Sequence, residues 1–267
     1  MKRALVSKKL WQELEPLVPK VAPSAKGGRP RADDRAAFNG ILFVLFTGIP
    51  WEDLPQELGW GSGMTCWRRL RQWQAAGVWE KLHHALLNRL REYDQIDWHR
   101  ASVDAASVAS PPGGPETGPN PTDRGKLGSK RHLIVDGRGT PLAVCVSGAN
   151  RHDSMLFEDV IDAVPPVAGR RGRPRRRPDK VHADKGYDYP KCRRALSLRG
   201  IAVRIARRGI ESSERLGRYR WVVERTHAWF AGFGKLRIRF ERQLGTHMAL
   251  LQLACAVICL RAVDRFC

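Results

Sequence analysis

The spacing of apolar residues changes character near Trp98, and that change constrains the fold more than any other feature of the chain. Before it, apolar residues recur every three to four positions, as on helices. After it come short strand-like runs over 101–107, 131–136 and 141–147, the last two joined by a Gly-Arg-Gly turn at 137–139. A helical pattern over 153–164 follows, then strands over 180–184 and 201–206 enclosing a helix over 189–199. Helices over 219–230 and 245–263 close the order. Strands interleaved with helices in this way predict a mixed α/β fold for 96–267, preceded by an all-α part over 1–95.

Within the first part, Ser7 can cap a helix carrying Leu10, Trp11, Leu14 and Leu17 at helical spacing. Residues 18–31 form a loop rich in Pro, Gly and basic residues. Asp33 or Asp34 caps a second helix, ended by Gly48. A short helix is expected over 51–58, a glycine-containing turn over 59–63, and helices over 64–76 and 78–93. The pair 51–58 and 64–76 has the make-up of a helix-turn-helix. Trp67, Leu70 and Trp73 can pack inward, which leaves Arg68, Arg69 and Arg71 for phosphates and base edges. A helical hairpin with no DNA to bind would show the same division.

Charge favours the first of these readings. The net charge is +20, of which the first 97 residues supply +4 and the rest +16. Arg dominates the excess, and its planar fork donates two hydrogen bonds to one phosphate. A field of one sign this large points to nucleic acid as partner. Its densest stretch, 169–178, holds six Arg and two Pro, a solvated loop that could also clamp DNA phosphates. The six Cys include no CxxC pair and no Cys/His cluster, so a zinc module is excluded and free thiols are expected. The longest apolar run, 248–260, falls short of the ~18 residues needed to span a bilayer. It reads as a buried helix, and the protein is expected in the cytoplasm with no membrane segment.

Three acids stand out. Asp104 sits in SVDAASV, a strand of small apolar residues where a carboxylate is costly unless it is paired or metal-bound. It could equally lie at an exposed strand end. Asp184, in VHADKGYD, falls where a strand ends before a glycine turn, the edge at which open α/β sheets bind ligands. It could also cap the helix that follows. Glu224, in RYRWVVERTHAWF, lies off the stripe of Val222, Thr226, Trp229 and Phe233 expected to pack, and shares its face with Arg220, His227 and Ala231. An Arg–Glu surface pair one turn apart would look the same. Together the three suit two-metal phosphoryl transfer, in which carboxylate oxygens hold two divalent cations ~3.5–4 Å apart. His152 and His182 read as structural.

The motifs GRPRADDRAAFNGILFVLFTGIPWEDLP, CWRRLRQWQAAGVWEKL, SVDAASV, GPNPTDRGKLGSKRHLIVDGRGTPLAV, GANRHDS, HADKGYD and RYRWVVERTHAWF occur in this order over almost the whole chain. In them the chain resembles DDE transposases of bacterial insertion sequences, in the family 5 branch of the family 4 group. The resemblance implies a ribonuclease H-like catalytic domain over 96–267 and a helix-turn-helix-like DNA-binding domain over 1–95. It implies Asp104, Asp184 and Glu224 as catalytic, metal-binding acids with two Mg²⁺ or Mn²⁺ ions. It further implies strand cleavage at the ends of the element, 3′-OH transfer into target DNA, and a homodimer or larger assembly on double-stranded DNA at the nucleoid. Of the group's Tyr–Arg–Glu–Lys signature, Arg220 and Glu224 match, while Gly217 and Ala231 occupy the Tyr and Lys places. Lys126, Lys130 and Arg131 lie in a basic segment that could hold the DNA end, or could form solvated hairpin surface. A nuclease that cuts without joining, or a DNA-binding protein that has lost catalysis, would share most of these features.

Overall fold

The computed structural model describes residues 6–22, 31–210 and 213–266, with 213–220 and 266 described as backbone only. Eight α-helices and six strands are described. The first four helices are α1 (Lys8–Leu14), α2 (Asp34–Thr47), α3 (Gly63–Ala75) and α4 (Val78–Glu92). Ser7 caps α1, its hydroxyl accepting from the Leu10 N–H at 3.1 Å, and the Asp33 carboxylate caps α2 from the Ala36 N–H at 2.7 Å. Phe38, Trp73 and Trp79 meet at the centre with ring centroids 5.4–6.2 Å apart. α2 and α3 cross at Gly40, where a Cβ would stand 2.5 Å from Cys66 Sγ.

Residues 51–58 correct the expected helix. They form a turn closed by Pro50 and Trp51 carbonyls, then a single 3₁₀ turn, Gln56–Leu58. Pro55 has no N–H to donate and disfavours helix in the residue before it. The helix preceding the Arg-bearing α3 is therefore α2, and the two are joined by a long connection rather than a tight helix-turn-helix turn.

Arg69 is also corrected. It was expected to face DNA, yet it is 5% exposed, bonded to the Ala32 carbonyl at 3.2 Å and paired with Asp34 at 3.1 Å. It ties α3 to the start of α2. Arg69→Ala is expected to destabilise the protein by about 2 kcal/mol, below the usual loss from breaking a fully buried pair because Asp34 keeps some contact with water. Urea unfolding would measure this, and a change under about 0.5 kcal/mol would contradict the assigned role.

The sheet contains β1 (Ala101–Ala109), β2 (Gly118–Pro119), β3 (Leu127–Asp136), β4 (Pro141–Gly148), β5 (Lys180–Ala183) and β6 (Ala202–Ile205). β3 pairs antiparallel with β1 on one side and with β4 and the short β2 on the other. β5 runs parallel to β1, and β6 parallel to β5. This order, three antiparallel strands followed by two parallel to the first, is the ribonuclease H-like arrangement. The β3–β4 turn is built around Asp136, whose carboxylate accepts from the backbone N–H of Asp97, Arg138 and Thr140.

α5 (Phe157–Asp162) and α6 (Pro190–Leu198) are followed by α7 (Ser213–Ala231) and α8 (Leu244–Phe266). α5 packs on β3 and β4, and α6 on β6, while α7 lies across β1, β3 and β5. α7 buries Val222, Val223, Thr226 and Phe230. Of the expected stripe, Val222, Thr226 and Phe233 are buried, Phe233 from just beyond the helix end, while Trp229 is only half-buried. α7 packs on the sheet and also meets neighbours at its side, so its buried face is broader than one row. α8 is long and apolar enough to cross a membrane by length and composition, yet 78% of that stretch is buried within the protein. It packs against α3, α4 and β4, so one cluster of buried side chains runs from Val6 to Val263.

Candidate active site

Asp104 lies in the middle of β1, opposite Leu133 of β3. Asp184 is the first residue beyond β5, its backbone still extended. The parallel pairing joins Ala101 to Val181 and Ser102 to His182. Continuing that register puts Asp104 and Asp184 at one level on neighbouring strands. Side chains alternate between faces along a strand, so Ser102, Asp104, His182 and Asp184 share a face. It is the face that α7 covers: Arg131, opposite Ala106 on that side, has its guanidinium 5.5 Å from the Phe230 ring.

His227 brings α7 to the strand. Its ring approaches the backbone of Asp104 without closing a well-formed hydrogen bond. Glu224 stands one helical turn before His227, at the exposed edge of the same side of α7. Two of the acids are thus aligned by strand register, and the third stands on the helix that covers that face. Among the described residues, no three His, Cys, Asp or Glu side chains stand close enough to share one ion. The donors nonetheless have the right chemistry, since hard divalent cations take carboxylate oxygens. The side chain of Arg220 lies outside the described residues.

The loop bearing Asp184 is held rigidly. Asp184 Oδ1 accepts from the Gly186 N–H at 2.8 Å, and a Cβ on Gly186 would stand 2.9 Å from that oxygen. Asp188 accepts from Arg193 at 3.0 and 2.6 Å and from the Arg208 N–H at 2.8 Å. These bonds, the Arg208 N–H foremost, hold its carboxyl below the usual carboxylate range. Arg208 also donates to the Lys185 carbonyl at 3.0 Å and the Tyr189 hydroxyl at 3.1 Å. The Tyr189 ring in turn meets His152 edge-on at 5.3 Å. Sequence reasoning missed Arg193 and Arg208, because nothing local marks an arginine as the support of a loop up to 23 residues away.

Towards the far end of β1, on the same face of the sheet, is a buried polar layer. Arg239, fully buried, donates to Ser129 Oγ at 2.6 Å and to the carbonyls of Pro115, Glu116 and Glu241 at 2.8–3.1 Å. It fastens the irregular segment before β2 to the chain that follows α7. His247 is pushed down to about 3 by burial, then by Arg239 and Arg131, and burial takes His227 down to about 4. His182 is likewise lowered to about 4, mainly by burial and then by Lys180, Arg100 and Arg204.

The expected DNA contacts divide. Arg68, Arg71 and Lys126 are exposed, with the Arg71 guanidinium 4.6 Å from the Trp67 ring. Lys130 is engaged by Asp153 at 2.6 Å and the Arg151 carbonyl at 2.7 Å. Arg131 is 4% exposed, and burial lowers it to about 10. It serves the core beneath α7, which removes it from the DNA-contacting set. The Arg-rich loop is also partly committed: Arg175 pairs with Asp179, Arg176 binds the Val164 and Asp162 carbonyls, and Arg177 binds the Arg199 carbonyl.

Residues 96–259 match the family described as "Transposase DDE domain", and residues 6–83 the one described as "Putative transposase of IS4/5 family". The chain is 53% identical to the "Putative transposase for insertion sequence element IS402" of Burkholderia cepacia over 153 residues, 57% of this chain and 72% of that protein. It is 50% identical over 123 residues to an "uncharacterized 16.2 kDa protein" of the same element, covering 45% of this chain and 84% of that protein. A solved Mos1 transposase paired-end complex aligns over 93% of this chain and 85% of its own at 13% identity, with a TM-score of 0.26, too low to argue from.

Proposed function

The chain belongs to the DDE-domain transposases, in their IS4/5 group, and from that premise we propose that Asp104, Asp184 and Glu224 are its catalytic carboxylates. The observation that carries the proposal is the register: residues 104 and 184 align on adjacent parallel strands beneath the helix that bears Glu224. Transposases of this family work with divalent metal ions. Two Mg²⁺ or Mn²⁺ ions held by these three acids would activate the attacking oxygen and neutralise charge on the leaving one.

The chain's own residues do the rest. The Gly186 N–H fixes one oxygen of Asp184, and the other would serve as a carboxylate donor to a divalent ion. Arg208, through the Lys185 carbonyl, holds that turn still. Neutral His227 packs α7 against Asp104 without adding positive charge that would compete with the ions. The reaction is cleavage at the ends of an insertion sequence, followed by attack of the freed 3′-OH on target DNA. Residues 1–95 serve as the DNA-recognising part and 96–267 as the catalytic part, with exposed Arg68, Arg71 and Lys126 among the contacts to double-stranded DNA. Joining two ends at once requires a homodimer or larger assembly. Its work lies at the nucleoid, in the cytoplasm.

The test is a labelled duplex ending in the element's own terminus, incubated with Mg²⁺ or Mn²⁺ and either the wild type or Glu224→Gln. The wild type is expected to nick at the terminus and transfer the 3′ end, and the variant to bind and do neither. Nicking without transfer would make the protein a nuclease. Nicking by the variant at the wild-type rate would remove Glu224 from the set.

A further inference from the structure

On the side of α7 turned away from Glu224 by about 100°, a cleft of about 390 Å³ opens between α7, α8 and the β3–β4 turn. Its lining includes Arg138, Arg225, Arg261 and Arg265, and no Asp or Glu. Two further observations set it apart from a merely basic surface. First, Arg225 is built in: its guanidinium lies 4.4 Å from the Trp221 ring and 4.7 Å from the Trp229 ring, and it donates to the Arg138 carbonyl. Two indoles hold the cation in place, and Arg225 Nε is buried with no hydrogen-bond acceptor. Second, among the described residues no ion pair engages Arg138, Arg225 or Arg265, and the only carboxylate felt by Arg225 is the buried Asp136 outside the cleft lining. Arg265 is exposed and close enough to Arg225 to repel it. The neighbouring carboxylates are committed elsewhere, Asp264 to Lys9 at 3.2 Å and buried Asp136 to three backbone N–H groups.

Converging guanidinium groups with no carboxylate between them, one clamped between aromatic rings, suit a phosphate oxygen. We propose that this cleft is a phosphodiester-binding site that holds the backbone of duplex DNA along the flank of α7, about 100° round the helix from Glu224. The proposal rests on the reading that the protein acts on DNA, and is independent of which acids cut. Arg225 fixes the position, while Arg138 and Arg265 close on the phosphates from the turn and from the end of α8. The indoles act through Arg225 by holding its plane.

The test uses the full chain in the Glu224→Gln background without metal, so that binding is read apart from cutting. Affinity for a fluorescent duplex is followed from 50 to 200 mM salt by anisotropy. Each phosphate contact contributes about 0.9 to the slope of log affinity against log salt. The Arg138→Ala/Arg265→Ala pair should therefore flatten that slope by about 1.8 and weaken binding at low salt by roughly tenfold per arginine. Arg265→Lys, which keeps the charge, should restore most of the slope that Arg265→Ala loses. An unchanged slope in a double variant of native thermal stability would overturn the proposal. So would calorimetry in which inorganic phosphate alone binds the wild type and not the double variant while the DNA slope stays the same, since the cleft would then take free phosphate. Loss of catalysis at Asp104 or Glu224 leaves all these binding readouts untouched, so the two readings fail separately.

Discussion

Asp104→Asn is expected to reduce nicking at the element's end by a factor on the order of a thousand or more, the scale of losing a central electrostatic contact to a transition state. Asparagine keeps the shape of the side chain and removes the charge that draws a hard cation. β1 is held by backbone pairing to β3 and β5, which the change leaves alone. Thermal stability should therefore stay near that of the wild type, and duplex binding should persist. Single-turnover nicking with Mg²⁺ and with Mn²⁺ would decide the matter. A variant that cuts within about tenfold of the wild type would end the claim that Asp104 binds metal. Asp184→Asn should give the same result, because residue 184 lies level with residue 104 on the neighbouring strand and is proposed to hold the same ions.

Acid should destabilise this protein strongly by pH 5, before most of its carboxylates are protonated. His83, His132 and His227 are lowered to about 4 and His247 to about 3, in each case chiefly by burial. A histidine with a folded value below its unfolded one binds protons more readily in the unfolded chain. Its contribution is intact above about 6.5 and is lost as the pH falls towards the folded value. A shift from 6.5 to about 4 costs about 2 kcal/mol by pH 5, so four such groups cost about 8 kcal/mol. Asp136 works the other way. Burial raises it to about 6, so protonation favours the folded state below that pH and returns about 1.4 kcal/mol at pH 5. The net loss is comparable to the whole stability of a typical domain. Urea unfolding at pH 7.5, 6 and 5 should show a steep fall, and His247→Met should make it shallower. Equal stability at pH 5 and 7.5 would refute the buried, neutral state of these rings.

What could be read in the sequence, and what could not, divides along physical lines. Capping by Ser7 and Asp33 was legible because a cap is a local event between residues three apart. The strands and helices after Trp98 were legible for the same reason, and their order carried the fold. The acids were legible as motifs, but their alignment needed the register of β1 against β5, which pairs residues 80 positions apart. The arginines were the hardest to read. Arg69 and Arg131 look like Arg68 and Lys130 in any local window. Their burial depends on what covers them, Ala32 and Asp34 in one case and the segment after α7 in the other. The Arg-rich loop misled in a similar way, since three of its side chains bind backbone carbonyls or an acid of the protein itself.

α8 fills the groove left by α3 and α4 while its other side meets the sheet. Helices α3 and α4 thus bury apolar surface against a segment that is made about 150 residues after α4 ends. At roughly 5–20 residues per second, the interval between completing α4 and releasing α8 is on the order of ten to thirty seconds. During that time the side of α4 that meets α8 lacks its final cover. A nascent chain in this state would draw chaperones. Order of synthesis would then act as a timer, with the N-terminal helices completed only once α8 had been made.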